Sequence, residues 1–248
     1  MALHAAAADG SITGALAALF SGVSVDATEE GATALHVACR EDWEEVVILL
    51  LDQGAEANNA DNNGWTPLHH SCYKGHSHIA AVLLSRGADI ARRTSTGATA
   101  LMLSCDFGYM DTISVLLGRG AAIDDQDIDG NTAMHIASRY FIHTTRLIIR
   151  NKADIHIRNS SGKTPMDVCR RPEWREELTE LYNTVNRAWL ARKSFLFVLI
   201  GCGFIEELAC AASQVPPTVA GAAIVDSEHD RLRDDTFRLL YRVLMPFL

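Results

Sequence analysis

A period of 33 residues governs this chain. Gly31-Ala-Thr-Ala-Leu-His-Val-Ala-Cys39 returns as Gly64-Trp-Thr-Pro-Leu-His-His-Ser-Cys72, then as Gly97-Ala-Thr-Ala-Leu-Met-Leu-Ser-Cys105 and Gly130-Asn-Thr-Ala-Met-His-Ile-Ala-Ser138. A fifth copy, Gly162-Lys-Thr-Pro-Met-Asp-Val-Cys169, follows at a spacing of 32. Each copy specifies the same local structure. Thr33, Thr66, Thr99, Thr132 and Thr164 stand where a helix N-cap hydroxyl is wanted. Pro67 and Pro165 come next, at the first helical position, which tolerates proline. The first helix is short. A second follows on the apolar runs 46–50, 79–84, 113–117 and 147–149. Gly54, Gly87 and Gly120 then suit a left-handed stop. So small a helix pair cannot bury its apolar face alone, so units of this kind must stack and share one continuous core.

The pattern around T-P-L-H-x-A at a 33-residue interval resembles the ankyrin repeat. The resemblance covers roughly residues 1–170 and implies an all-α fold, an ankyrin-repeat solenoid of helix-turn-helix units with extended loops. On that basis residues 1–30 form an atypical N-terminal capping repeat, since Leu3-His4-Ala5-Ala6 through Gly22 aligns with Leu35 through Gly54 but lacks the Thr-Pro turn. Full units follow at 31–63, 64–96, 97–129 and 130–161, then a partial repeat with a capping helix at 162–193, then a helical tail at 194–248. The unit at 130–161 departs from the pattern. It lacks the residue corresponding to Gly75 and Gly108, and Lys152 replaces its terminal glycine, which puts the loop geometry there in question.

The 248 residues are 48% hydrophobic and carry a formal net charge of −9. That balance argues against wholesale disorder and against a nucleic-acid partner, which wants a basic face. No run of 18 uncharged apolar residues is present, so a spanning helix is not supported. The Ala- and Leu-rich start has no basic residue before Arg40, so it does not read as a secretory signal. Cys39, Cys72, Cys105, Cys169, Cys202 and Cys210 therefore do not read as a disulfide framework. A cytoplasmic or nuclear location is expected.

The run His69-His70-Ser-Cys72-Tyr-Lys-Gly-His76-Ser-His78 looks at first like a metal cluster. The period explains most of it. His69 recurs as His36 and His135, Cys72 recurs as Cys39 and Cys105, and the resemblance assigns His69 to the turn's hydrogen bonds and His76 to the start of the second helix. Only His70 and His78 are extra, too few for a closed zinc site. Phosphate loops, nucleophile elbows and zinc-protease motifs are missing. The expectation is a chain with no catalytic activity, metal or cofactor.

Positions that vary between copies are free to contact a partner. Arg40, Tyr73, Asp106 and Arg139 are 33 apart, as are Glu41, Lys74, Phe107 and Tyr140. Stacked units set each series in a row, on what the resemblance makes the concave face. Trp65 occupies the loop-tip column with Ala32, Ala98, Asn131 and Lys163. Aromatic and arginine side chains are common anchors of interfaces. Contact is favoured for Trp65, Tyr73 and Arg139, while Phe107 fits packing and contact equally.

The expected function is a protein-protein interaction scaffold. The alternatives are a substrate adaptor of a ubiquitin ligase, with the tail docking on the ligase, and an enzyme with an unrecognised active site. Beyond Pro172, Leu178, Leu181, Tyr182, Val185 and Trp189 follow helical spacing and suit a cap on the last repeat. The apolar stretch 194–205 is too short to span a membrane; it reads as a buried segment, with peripheral membrane contact as the rival. Residues 213–225, with Pro216 and Pro217, read as a linker. Phe237, Leu240, Tyr241, Leu244 and Phe247 form one face of a final helix expected to dock back on 195–205.

Overall fold

The computed structural model describes residues 2–201, with side chains described through residue 190. Two compact units divide the chain, residues 1–192 and 193–248. The expected linker at 213–225, the final amphipathic helix and residues 202–205 lie outside the described residues.

Unit 1 is a succession of helix pairs. The first pair is α1 (Ala2–Ala8) and α2 (Ile12–Phe20). A two-stranded antiparallel hairpin, β1 (Thr28–Glu29) and β2 (Ala32–Thr33), leads into α3 (Ala34–Arg40) and α4 (Glu44–Asp52). Then come α5 (Pro67–Lys74) with α6 (Ser77–Ser85), α7 (Ala100–Phe107) with α8 (Met110–Gly118), and α9 (Ala133–Ser138) with α10 (Ile142–Arg150). The fifth copy yields only the four-residue α11 (Pro165–Val168), followed by the long α12 (Pro172–Gly201). First helices pack in sequence, α1 on α3, α3 on α5, α5 on α7, α7 on α9 and α9 on α11. Second helices do the same from α2 through α8.

The core repeats with the sequence. Leu3, Leu35, Leu68, Leu101 and Met134 form one fully buried column, and Leu50, Leu83, Leu116 and Ile149 form another. Each first helix after the N-terminal pair starts at its threonine, which has extended backbone geometry. The threonine N–H donates to the side chain three residues on. The acceptor is Nδ1 of His36, His69 or His135, Sδ of Met102, or the Asp167 carboxylate. This return bond satisfies a backbone donor at the helix start, as in a capping box.

The turn between paired helices shows why glycine recurs in one column. Gly75 and Gly108 have φ of +82° and +73°. A Cβ on either would lie 2.7 Å from the Tyr109 ring or 2.9 Å from the Phe141 ring. The preceding unit has Asp42 there, also left-handed at φ +71°. Its successor offers His76 instead of a bulky ring, and His76 Nδ1 lies 2.9 Å from the Asp42 carboxylate. In the unit at 130–161 the missing residue shortens α9, and Arg139 closes the helix in right-handed geometry. Lys152 adopts φ +71°, so the loop keeps the geometry that glycine provides elsewhere.

Helix α12 lies against the end of the stack within unit 1. Leu178 is fully buried, while Leu181, Tyr182 and Val185 are half-buried against the core. Arg146 Nε donates to Glu177 at 2.9 Å, and the Lys152 ammonium lies 5.3 Å from the Trp189 ring centre. Glu173 falls in the first turn of α12, where a carboxylate suits the helix dipole. Because each unit contacts only its neighbours, removal of residues 173–248 should loosen residues 130–170 first. Hydrogen exchange should show lost protection there and little change before residue 97; unchanged protection at 130–170 would make α12 an independent element.

Candidate partner-binding face

The aromatic members of the two rows form a partial ladder. The Trp65 ring is half-buried, 5.1 Å from both the His70 and Tyr73 rings. Tyr73, also half-buried, meets Phe107 edge-on at 4.8 Å, and Phe107 stacks on Tyr109 at 5.7 Å. Phe107 is thus both packed and open, with 40% of its surface exposed. Tyr140 is 50% exposed and pairs edge-on with Phe141 at 6.3 Å. No ring contact joins Phe107 to Tyr140 among the described residues; the shortened α9 interrupts the ladder there.

The charged members differ in their pairing. Arg40 and Glu41 are exposed and joined at 2.8 Å. Lys74 is exposed, with its ammonium 5.9 Å from the Tyr73 ring centre. Asp106 is exposed and Arg139 half-buried. The structure adds Arg170, whose guanidinium lies 4.6 Å from the Tyr140 ring centre.

Two further residues position Trp65. Asp61 accepts from the backbone N–H of Asn63 and Trp65 through Oδ1, and its Oδ2 lies 3.0 Å from His70 Nε2. Burial opposes the Asp61 charge, but these N–H groups and His70 hold its carboxyl below the ordinary value. Burial also lowers His70, against the pull of Asp61. The period contained a signal for Asp61. Thr94, Asp127 and Asn159 occupy its column, and each accepts the N–H four residues on.

His4, His36 and His135 clip one unit to the next, while His69 reaches a loop of its own unit. Nε2 of His36, His69 and His135 donates to the carbonyls of Trp65, Arg92 and Lys163 at 2.9–3.1 Å. His4 reaches the Ala32 carbonyl in the same way. In each of the three, Nδ1 accepts a threonine N–H, so the ring proton sits on Nε2. Burial lowers all three, His69 to about 4. His76 and His78 both reach the Asp42 carboxylate, at 2.9 and 3.2 Å. Among the described residues no group of three or more His, Cys, Asp or Glu is placed to hold a metal ion. Burial raises the Cys39, Cys72 and Cys105 thiols, Cys72 to about 12, which disfavours the reactive thiolate. No helix among the described residues is long and apolar enough to cross a membrane.

The comparisons agree with this architecture. The family model described as ankyrin repeats (3 copies) matches over two ranges, residues 3–94 and 91–159. The Thr164 turn and α12 lie beyond the match. A search of the curated proteins found no match. The stacked helix pairs and a family match across more than half of its length place this chain in the ankyrin-repeat family.

Proposed function

We propose that this protein binds another protein on the face formed by Trp65, Tyr73, Lys74, Phe107, Arg139 and Tyr140, with Arg40, Glu41 and Asp106 at its margins. Ankyrin repeats are in general protein-binding modules. The observation that carries the reading is the ladder Trp65–Tyr73–Phe107, three aromatic rings in contact that stay partly exposed where the scaffold columns are fully buried. Such rings offer large contact area with few rotamers to fix, which makes them effective anchors.

The test begins with affinity purification using the full chain, a chain lacking residues 194–248, and row variants. Against the partner so identified, Tyr73→Ala or Arg139→Ala is expected to weaken binding by about 1–3 kcal/mol, the range of interface anchors. Thermal melting should move little. Trp65→Ala should lower both affinity and stability, because its ring is half-buried on His70. Binding that survives all three substitutions but disappears with residues 194–248 would transfer the function to the tail, as a ligase adaptor requires.

A further inference from the structure

We infer that the partner presents an acidic segment to this face, an extended stretch in which carboxylate side chains flank an apolar one. This rests on the reading above and adds the partner's chemistry to it. The chain as a whole is acidic, at −9. Its candidate face is not. Arg40 is neutralised by Glu41 at 2.8 Å. Lys74, Arg139 and Arg170 form no ion pair among the described residues, and Asp106 is the one unpaired carboxylate of the two rows.

The geometry makes two of these cations into matched stations. Lys74 lies beside Tyr73, and Arg170 lies over Tyr140. Each station joins a positive charge to an aromatic ring, so a bound segment could place a carboxylate on the charge and its stem on the ring. Arg170 has five N–H donors and makes no side-chain hydrogen bond among the described residues, which leaves a fork suited to bidentate carboxylate binding. Between the stations Phe107 is 40% exposed and bears no charge, a place for an apolar side chain.

Spacing sharpens the inference. Tyr73 and Tyr140 are two units apart, and packed helices lie about 8–10 Å from axis to axis. The stations are therefore about 16–20 Å apart, which an extended chain covers in about five or six residues. Repulsion by the acidic remainder of the molecule is screened beyond about 8 Å at physiological ionic strength, so the local cations decide the encounter.

The experiment pans a random 12-residue peptide library against the immobilised full chain and measures the enriched peptides by fluorescence anisotropy. Peptides with two Asp or Glu residues five or six apart around an apolar residue are the expected winners. Asn or Gln in place of those carboxylates should weaken binding at least tenfold. So should the double variant Lys74→Gln, Arg170→Gln, with melting unchanged, while Lys74→Arg retains affinity. Neutral or basic winners that lose affinity with Tyr73→Ala, but not with the charge variants, would overturn the acidic partner and leave the binding face standing. Winners indifferent to both Tyr73→Ala and Phe107→Ala would sink both readings. An absence of acidic winners, or tighter binding of a 20-residue oligothymidine than of the acidic peptides, also counts against it.

Discussion

Acidification is expected to destabilise this protein steeply between about pH 6.5 and 4. His69 has an ordinary value of 6.5 when unfolded and about 4 when folded. Between those values the unfolded chain holds a proton that the folded chain does not. Stability is therefore full above pH 6.5 and falls as the pH drops through the window. At about 1.4 kcal/mol for each pH unit crossed, His69 alone removes about 3 kcal/mol. His36 and His135 are lowered in the same direction. The cause is burial, which penalises the charged ring in all three. The geometry acts in the same direction, since a proton added at Nδ1 would face the threonine N–H that Nδ1 now accepts. Urea unfolding at pH 7.5 and pH 4.5 measures the effect, and equal midpoints would refute it. His69→Met, which copies the residue at Met102, should reduce the difference between the two pH values while lowering stability at pH 7.5.

Core truncation should cost as much without any pH dependence. Leu68 and Leu101 are each 1% exposed and sit in the column shared by Leu35 and Met134. Leu68→Ala or Leu101→Ala should remove about 2–5 kcal/mol of stability, the lost transfer energy plus a cavity that the neighbouring units cannot fill. Chemical denaturation checks this against Tyr73→Ala, which should shift the midpoint far less. A Leu101→Ala midpoint no lower than that of Tyr73→Ala would mean that the column does not hold the stack.

What the sequence revealed and what it hid divide along a physical line. Helix starts at Thr33 to Thr164, the glycine stops and the positions of the core leucines are written into each unit's own sequence, and the period displays them. Contacts between units depend on which side chains two copies bring together. Asp42 replaces a glycine because His76, rather than a Tyr or Phe ring, lies above it. The proximity of Asp61 to His70 spans a loop and a helix, so neither row contains it. Arg170 escaped because α11 is only four residues long, which takes the following segment out of register and lets it reach Tyr140. Phe107 fitted packing and contact equally as a sequence, and the structure shows it packed on Tyr73 and Tyr109 while still exposed.

Met102 gives the stack an uneven seam. It takes the histidine's place in its cap, with Sδ 3.5 Å from the Thr99 N–H, but a thioether has no proton to pass to the next unit. The junction from α7 to α9 therefore lacks the link that His36 and His135 supply to the units after theirs. Loop contacts hold that junction instead, among them the Ser160 N–H on the Asp129 carbonyl and the Asp154 N–H on the Asp124 carboxylate, both at 2.9 Å. Acid separates the two kinds of cap. A proton at Nδ1 opposes the threonine N–H in the units that carry a histidine and leaves the Met102 cap as it was, so the cap that resists acid sits in the middle of the stack.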